Sequence, residues 1–434
     1  MSPTIIGFIG IVILLLVLFS RIPVAFALFL VGFAGFAYLV SPEAARALLF
    51  KDLWGTFSQY TLTVVPLFIF MGEIIFHSGI SRRLYDTGYT WLGHQSGGIA
   101  SATIAASAGF AAISGSSLAN AGAMATLVMP EMRRFHYDDA LATGSIAAGG
   151  TLGTLIPPSV NLIIYGILTE TSIGTLFIAG IAPGILRTIL FLATIYFMCW
   201  RNPLLGPKGP LTSLREKLSS LTGVIDAVIL FILVMGGLFM GLFTPTEAGA
   251  IGAAGALVIA LARRGLTWQG FRESLIATGE MTAMAFIILF GATVFGHFMT
   301  VSRLPYDLAA WAGALPVSRY VVLVLMLVIY AIGGCFVVNL ALLIIIIPIF
   351  FPVVVALGFD PIWFGVMTVL VGEMGSVTPP VGVITYVISG ISKVRLETVF
   401  KGCVPFIIAM LISDGICIAF PAIVMFLPNF MYGP

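Results

Sequence analysis

Apolar residues fall along this chain in long runs, separated by short clusters of polar and basic ones. Runs at 4–20, 24–40, 59–77, 175–200, 222–243, 246–262, 274–298 and 403–427 each approach the roughly 20 residues that a helix needs to cross a bilayer. They predict transmembrane helices, the one at 59–77 broken early by Pro66. Segments 41–58 and 303–318 are mixed, and 201–220 is the long polar loop of the chain. Two further runs, 140–165 and 361–390, are apolar but cannot be plain helices. The first holds Gly149, Gly150, Gly153, Pro157 and Pro158; the second holds Gly372, Gly375, Pro379 and Pro380. A proline inside a helix removes a backbone hydrogen bond and clashes with the preceding turn, and the residue before it is driven out of the helical region. Both runs must unwind at membrane depth, which is tolerated where the backbone is buried in protein or lines a cavity.

A simple proline kink would account for one such stretch, but the stretches are related. Pro379 follows Pro157 by 379 − 157 = 222 residues, and the same offset links Pro245 to Pro23, Pro352 to Pro130, Pro405 to Pro183 and Gly402 to Gly180. An ordered series of this kind marks an internal duplication. Interrupted apolar segments in matching places of two halves point to a transporter's binding site.

Residues 97–130 are apolar but small, with a polar knot at Ser114, Gly115, Ser116, Ser117 and Asn120. Each arm is about 15 residues, short for a span, so the segment predicts a re-entrant helical hairpin rather than one long helix with a small-residue packing face. Residues 320–350, with Gly333, Gly334 and Asn339 at their middle, predict a second hairpin. The expected fold is therefore an all-α polytopic membrane protein, an inverted-repeat transporter with two re-entrant hairpins and two broken helices. The first repeat covers 1–200, with scaffold spans in 4–40, a hairpin at 97–130 and a broken span at 140–165. A cytoplasmic linker covers 201–220. The second repeat covers 221–434, with scaffold spans in 222–262, a hairpin at 320–350 and a broken span at 361–390.

Composition agrees with this reading: 60% of the 434 residues are hydrophobic and 9% charged, against about 25% charged in soluble domains. The net charge of +2 gives no reason to expect a nucleic-acid partner. Cys199, Cys335, Cys403 and Cys417 lack CxxC spacing and sit in apolar runs, as small core residues do. His77, His94, His136 and His297 are scattered, without a zinc-type motif. No nucleophile–base constellation or P-loop is present in the sequence, which argues against an enzyme such as an intramembrane protease. Placing the basic loop 201–220 in the cytoplasm puts Arg21, Arg82, Arg83, Arg133, Arg134, Arg263, Arg264 and Lys393 to Lys401 inside as well. Both termini then lie outside, and the two halves are inverted about the membrane plane. Arg303 and Arg319 stay outside.

Helix breaks free backbone carbonyls that suit a hard cation such as Na⁺, and free N–H groups that suit a carboxylate. Around them the first half offers Ser114, Ser116, Ser117, Asn120, Thr151, Thr154 and Ser159; the second offers Gly334, Asn339, Ser376 and Thr378. Glu373 is a carboxylate at membrane depth and therefore a functional candidate. Glu247, in Thr244-Pro-Thr-Glu247, reads instead as a helix capping box.

The segments ISGSSLANAGAMATLVMPEM (113–132), AAGGTLGTLIPPSV (147–160), FIAGIAPG (177–184), FTPTEAGAIGA (243–253) and GSVTPPVG (375–382) closely resemble the large membrane subunit of the tripartite ATP-independent periplasmic (TRAP) transporters. The resemblance spans essentially the whole chain. It implies Na⁺-driven uptake of a small organic acid, such as a C4-dicarboxylate or sialic acid, across the bacterial inner membrane. It implies two partners: a periplasmic solute-binding protein and a small membrane subunit of about four spans. It also implies an elevator motion of the hairpins and broken spans against a fixed scaffold. No cofactor is implied beyond Na⁺ as coupling ion. By position, Ser114, Gly115, Ser116, Ser117 and Asn120 with Gly150, Thr151, Gly153, Thr154, Pro157 and Pro158 would form a first Na⁺ or substrate site. Gly334, Val338 and Asn339 with Glu373, Gly375, Ser376, Thr378, Pro379 and Pro380 would form a second. Family members often carry an acidic residue after the glycine of the second tip; Val338 stands there here. A stand-alone Na⁺/dicarboxylate symporter of the same inverted-hairpin class is the alternative, and it would need no binding protein.

The orientation is tested in a chain freed of its native cysteines. Arg133→Cys should resist membrane-impermeant thiol reagents in intact cells and react in inside-out vesicles; labelling in intact cells would reverse the topology.

Overall fold

The computed structural model describes residues 1–20 and 22–433, and Arg21 of the first predicted turn lies outside them. Helices make up the ordered elements, and no strand occurs among the described residues. The first half contains α1 (Pro3–Phe19), α2 (Val24–Leu39), α3 (Pro42–Phe57), α4 (Val64–His77) and α5 (Ile80–Leu92). Then come a helical hairpin, α6 (Gly98–Ser114) and α7 (Ser117–Arg134), a broken span, α8 (Asp139–Thr151) and α9 (Val160–Thr169), and the long α10 (Ile173–Arg201). The connection carries α11 (Leu214–Ser220). The next span is α12 (Thr222–Phe231), a π-helical turn at Ile232–Gly236 and α13 (Gly237–Phe239). α14 (Pro245–Ala262), α15 (Trp268–Ser302) and α16 (Leu304–Ala314) follow. The second hairpin is α17 (Arg319–Gly334) and α18 (Asn339–Ala356), and the second broken span is α19 (Pro361–Gly375) and α20 (Val383–Ser392). α21 (Leu396–Ala419) and α22 (Ala422–Tyr432) close the chain.

The sequence offset reappears in the helix boundaries. α7 and α18 differ by 339 − 117 = 222 at their starts and 356 − 134 = 222 at their ends, and α8 and α19 by 361 − 139 = 222 at their starts. The two broken spans run antiparallel. Tyr165, near the end of the first, donates its hydroxyl to the carbonyl of Pro361, at the start of the second (2.6 Å). Arg133, at the base of the first hairpin, reaches the carbonyl of Ser392, at the end of the second broken span (2.5 Å). The first broken span therefore ends against the start of the second, and the second ends beside the base of the first hairpin, as in an inverted pair.

Three elements depart from the sequence reading. Pro66 lies in the first turn of α4 and does not break it, because a first-turn N–H has no intrahelical partner to lose. The last apolar run is two helices, α21 ending at Ala419 and α22 starting after Pro421. α15 is continuous over 35 residues, whereas its counterpart is divided into α3 and α4. Glu247 is the capping residue expected: its carboxylate accepts from the Thr244 backbone (2.8 Å) while its own N–H donates to the Thr244 hydroxyl (3.3 Å).

Small residues let helices touch backbone to backbone. α2 packs on α15 and α8 on α21. A Cβ on Gly32 would stand 2.6 Å from the Phe295 backbone. A Cβ on Gly402 would collide with the carbonyl of Ala140, which is backbone and cannot swing aside. The linker is strapped to the bundle: the Gly97 and Asp138 N–H groups donate to Gly206 (2.8 Å) and Leu205 (3.0 Å), and the Tyr137 hydroxyl to Pro207 (3.1 Å). All four cysteines are free and buried.

Gly402→Val should separate α8 from α21 and lower stability by about 1–3 kcal/mol or more, the usual effect of overpacking. The midpoint of thermal unfolding in detergent measures it; an unchanged midpoint would refute the packing.

Candidate functional site

Both hairpin tips sit directly on the breaks of their own spans. A Cβ on Gly153 would stand 2.5 Å from the Ser116 carbonyl, and one on Gly375 would stand 2.7 Å from Gly334 Cα. These glycines, 222 residues apart, are what allow tip and break to meet. Backbone bonds fasten them: Val160 N–H donates to the carbonyl of Gly115 (3.4 Å), and Gly382 N–H to that of Cys335 (3.0 Å). At Gly115 a positive φ turns the chain between α6 and α7, a conformation that glycine adopts without steric penalty.

Ser117 and Asn339 are the first residues of α7 and α18 and occupy matching positions. The tertiary structure brings both to one group, the carboxylate of Glu373. Asn339 Nδ2 donates to Glu373 Oε1 at 3.0 Å, and the Ser117 hydroxyl donates to the same oxygen at 3.4 Å. The Tyr330 hydroxyl holds Asn339 by donating to its Oδ1 (3.0 Å). Glu373 is fully buried, has no ion-pair partner within 4 Å among the described residues, and leaves Oε2 without a hydrogen bond. The Thr154 hydroxyl, from the first break, faces this carboxyl without meeting hydrogen-bond geometry. The two sites read separately along the sequence thus share Glu373.

Around the first tip Asn120 donates its amide to the carbonyls of Ser107 (3.0 Å) and Gly149 (3.3 Å). Its Oδ1 and the hydroxyls of Ser107, Ser114 and Thr154 are buried without partners. Unpaired buried oxygens cost about 1–3 kcal/mol each, and a bound cation would satisfy them. Ser107 escaped the sequence reading; its helical spacing of seven from Ser114, two turns on the same face of α6, is the signal that marks it. Other candidates bond locally instead. Ser116 caps α7 through Ala119 N–H (3.3 Å). The hydroxyl of Thr151 bonds a carbonyl of its own helix, those of Ser376 and Thr378 bond carbonyls in the last turn of α19, and that of Ser159 bonds the carbonyl of Thr154. Val338 is half-buried and lines an apolar cavity with Leu18 and Ala25. Gly150 is held against Ala121. Pro157 and Pro158 are buried, whereas Pro379 and Pro380 are exposed, so the two breaks differ in access.

A second polar core lies behind the site. Arg187 on α10 is fully buried, pairs with Asp414 on α21, and donates to the Leu370 carbonyl on α19 at 3.1 Å. It ties three helices together one turn from Glu373. Among the described residues no group of three His, Cys, Asp or Glu side chains is placed to hold a metal ion; the donors here are neutral oxygens with one carboxylate, an all-oxygen set of the kind that hard cations take.

Comparison with known proteins follows this geometry. Residues 11–423 match the model of the family described as "Tripartite ATP-independent periplasmic transporter, DctM component". The chain is 35% identical over 394 residues to the C4-dicarboxylate TRAP transporter large permease protein DctM of Pseudomonas aeruginosa, covering 91% of this chain and 92% of that one. It is 34% identical over 417 residues to the sialic acid TRAP transporter large permease protein SiaM of Vibrio cholerae, covering 96% and 97%. Among solved structures, the Alcanivorax borkumensis YdaH transporter shares the fold, with a TM-score of 0.66, 18% identity and 91% coverage of each chain.

Glu373→Gln keeps an acceptor for Asn339 and Ser117 but replaces the negative charge, so the fold should persist while transport falls by about tenfold or more, equivalent to about 1.4 kcal/mol. Uptake into proteoliposomes measures it; wild-type uptake would remove Glu373 from the machinery.

Proposed function

The chain belongs to the DctM component family of the tripartite ATP-independent periplasmic transporters, and from that we propose that it is the large subunit of a Na⁺-driven importer of small organic acids. It is a multi-pass protein of the bacterial inner membrane and a permease, not an enzyme. The observation that carries the proposal is the set of orphaned oxygens on Ser107, Ser114, Asn120, Thr154 and Glu373, gathered where two hairpin tips meet two helix breaks. Na⁺ bound at the first tip would be held by these neutral oxygens. At the second tip it would find the carbonyls freed between Gly375 and Val383, beside Asn339. The substrate is a carboxylate, a C4-dicarboxylate or sialic acid in the relatives compared above.

In this reading the hairpins and broken spans travel as one body, because Glu373, Arg187 and the tip glycines tie them together. α1–α5 and α12–α16 form the static frame, and the first repeat, linker and second repeat keep the extents 1–200, 201–220 and 221–434. A periplasmic solute-binding protein delivers the substrate, and a small membrane subunit braces the frame. The family is named for its tripartite construction, which supports two companions over a stand-alone symporter.

Proteoliposomes holding the complete complex should accumulate substrate under an inward Na⁺ gradient and fall to background when K⁺ replaces Na⁺. Equal uptake with K⁺ and a pH gradient alone would refute Na⁺ coupling.

A further inference from the structure

A cavity of about 710 Å³ opens between α4–α5 and α7, and the site described above does not use it. It follows α7 from Ala123, one turn past Asn120, to Arg134 at the helix base, a length of about 16 Å at 1.5 Å per residue. It thus leads from beside the first tip to the side of the molecule that carries the basic linker. Arg82 and Arg134 line it, and so do Asp86 and Glu131. The arginines that form ion pairs are Arg46, Arg83, Arg187 and Arg263; neither Arg82 nor Arg134 is in one among the described residues. Tyr85, almost fully buried, lines the same space, and its enclosed hydroxyl faces Glu131 without meeting hydrogen-bond geometry. Two guanidinium groups outside any ion pair and two carboxylates therefore line an open volume of small-molecule size.

We propose that this cavity is a second substrate subsite, on the cytoplasmic release path, for a carboxylate that also carries hydroxyl or amide donors. The inference rests on the transport reading above. Arg82 and Arg134 are positioned for the carboxylate, since a guanidinium offers a fixed fork of donors to its two oxygens. Asp86 and Glu131 accept from the ligand's hydroxyl or amide groups. A plain dicarboxylate would bring its second charge against those two acids, where like charges repel. The subsite therefore favours polyhydroxylated acids over simple C4-dicarboxylates. Because both signs are present, a released anion is held weakly, as a release path requires.

The test uses the complete complex in proteoliposomes, with N-acetylneuraminate or succinate in the lumen and the binding protein outside to select one orientation. Luminal N-acetylneuraminate should half-saturate efflux at a lower concentration than succinate. Arg82→Gln and Arg134→Gln should each raise that concentration by about tenfold, equivalent to about 1.4 kcal/mol, and Arg134→Lys should recover part of it. Arg264→Gln, an exposed basic residue that does not line the cavity, should leave it unchanged. Unchanged half-saturation in both glutamine variants, with the wild type active, overturns the subsite and leaves the transport reading intact. So does full rescue of Arg82→Glu by Glu131→Arg, which would make these charges a latch across the cavity. A wild type that moves neither probe outward and accumulates no substrate under the inward Na⁺ gradient overturns the transport reading and the subsite with it.

Discussion

A single buried carboxylate constrains the centre of this molecule. Glu373 is fully buried, with no cation within ion-pair distance among the described residues, a placement that costs an ionised carboxyl several kcal/mol unless it is answered. The answer comes from both halves of the chain at once. Asn339 and Ser117, the opening residues of the inner helices of the two hairpins, donate to the same oxygen. Hairpin tips that would otherwise be two independent loops are thereby held to one point. Removing either donor leaves the carboxylate less satisfied, so the tips are coupled energetically as well as sterically.

That coupling depends on close approach, and close approach depends on glycine. Gly153 and Gly375 bring each tip onto its break, and Gly144 and Gly402 bring α8 onto α21. Interiors are packed densely enough that one added methyl group is felt. The elements that contain the site are therefore packed as one unit. Arg187 adds to this by joining α10, α19 and α21 through Asp414 and the Leu370 carbonyl. A buried pair of this kind is weak support for stability by itself; here it closes the polar core behind Glu373.

The duplication is not perfect, and its imperfections bear on function. Glu373 corresponds to Thr151 in the first half, by 373 − 222 = 151, so the carboxylate has no twin. The first break is sealed and the second is open. Two chemically identical half-sites would bind and release alike, whereas a vectorial transporter needs ends that differ. The frame is unequal as well: α15 runs unbroken where α3 and α4 are separate, because the Ser58–Tyr60 turn of the first half has no counterpart in the second.

Much of this was legible along the chain. Glycine and proline punctuation at a constant offset located both hairpins and both broken spans to within a few residues, because those residue types restrict the backbone locally whatever surrounds them. The capping box at Glu247 and the apolar setting of the cysteines were legible for the same local reason. Misjudged features depended on position within an element or on distant partners. Pro66 escapes its usual cost by falling in a first turn, and the last run divides at Pro421. Which hydroxyls near the breaks turn back to a carbonyl three or four residues earlier, as those of Thr151, Ser376 and Thr378 do, is decided by the folded backbone. Ser107 was missed because it lies two turns before the polar knot, although its spacing from Ser114 puts both on one face of α6. The sequence alone determined where the helices break and that the chain is doubled, since both follow from local backbone chemistry. Only the tertiary structure decided that the two knots share one carboxylate, because the convergence of residues 117, 339 and 373 is a matter of how two inverted halves pack.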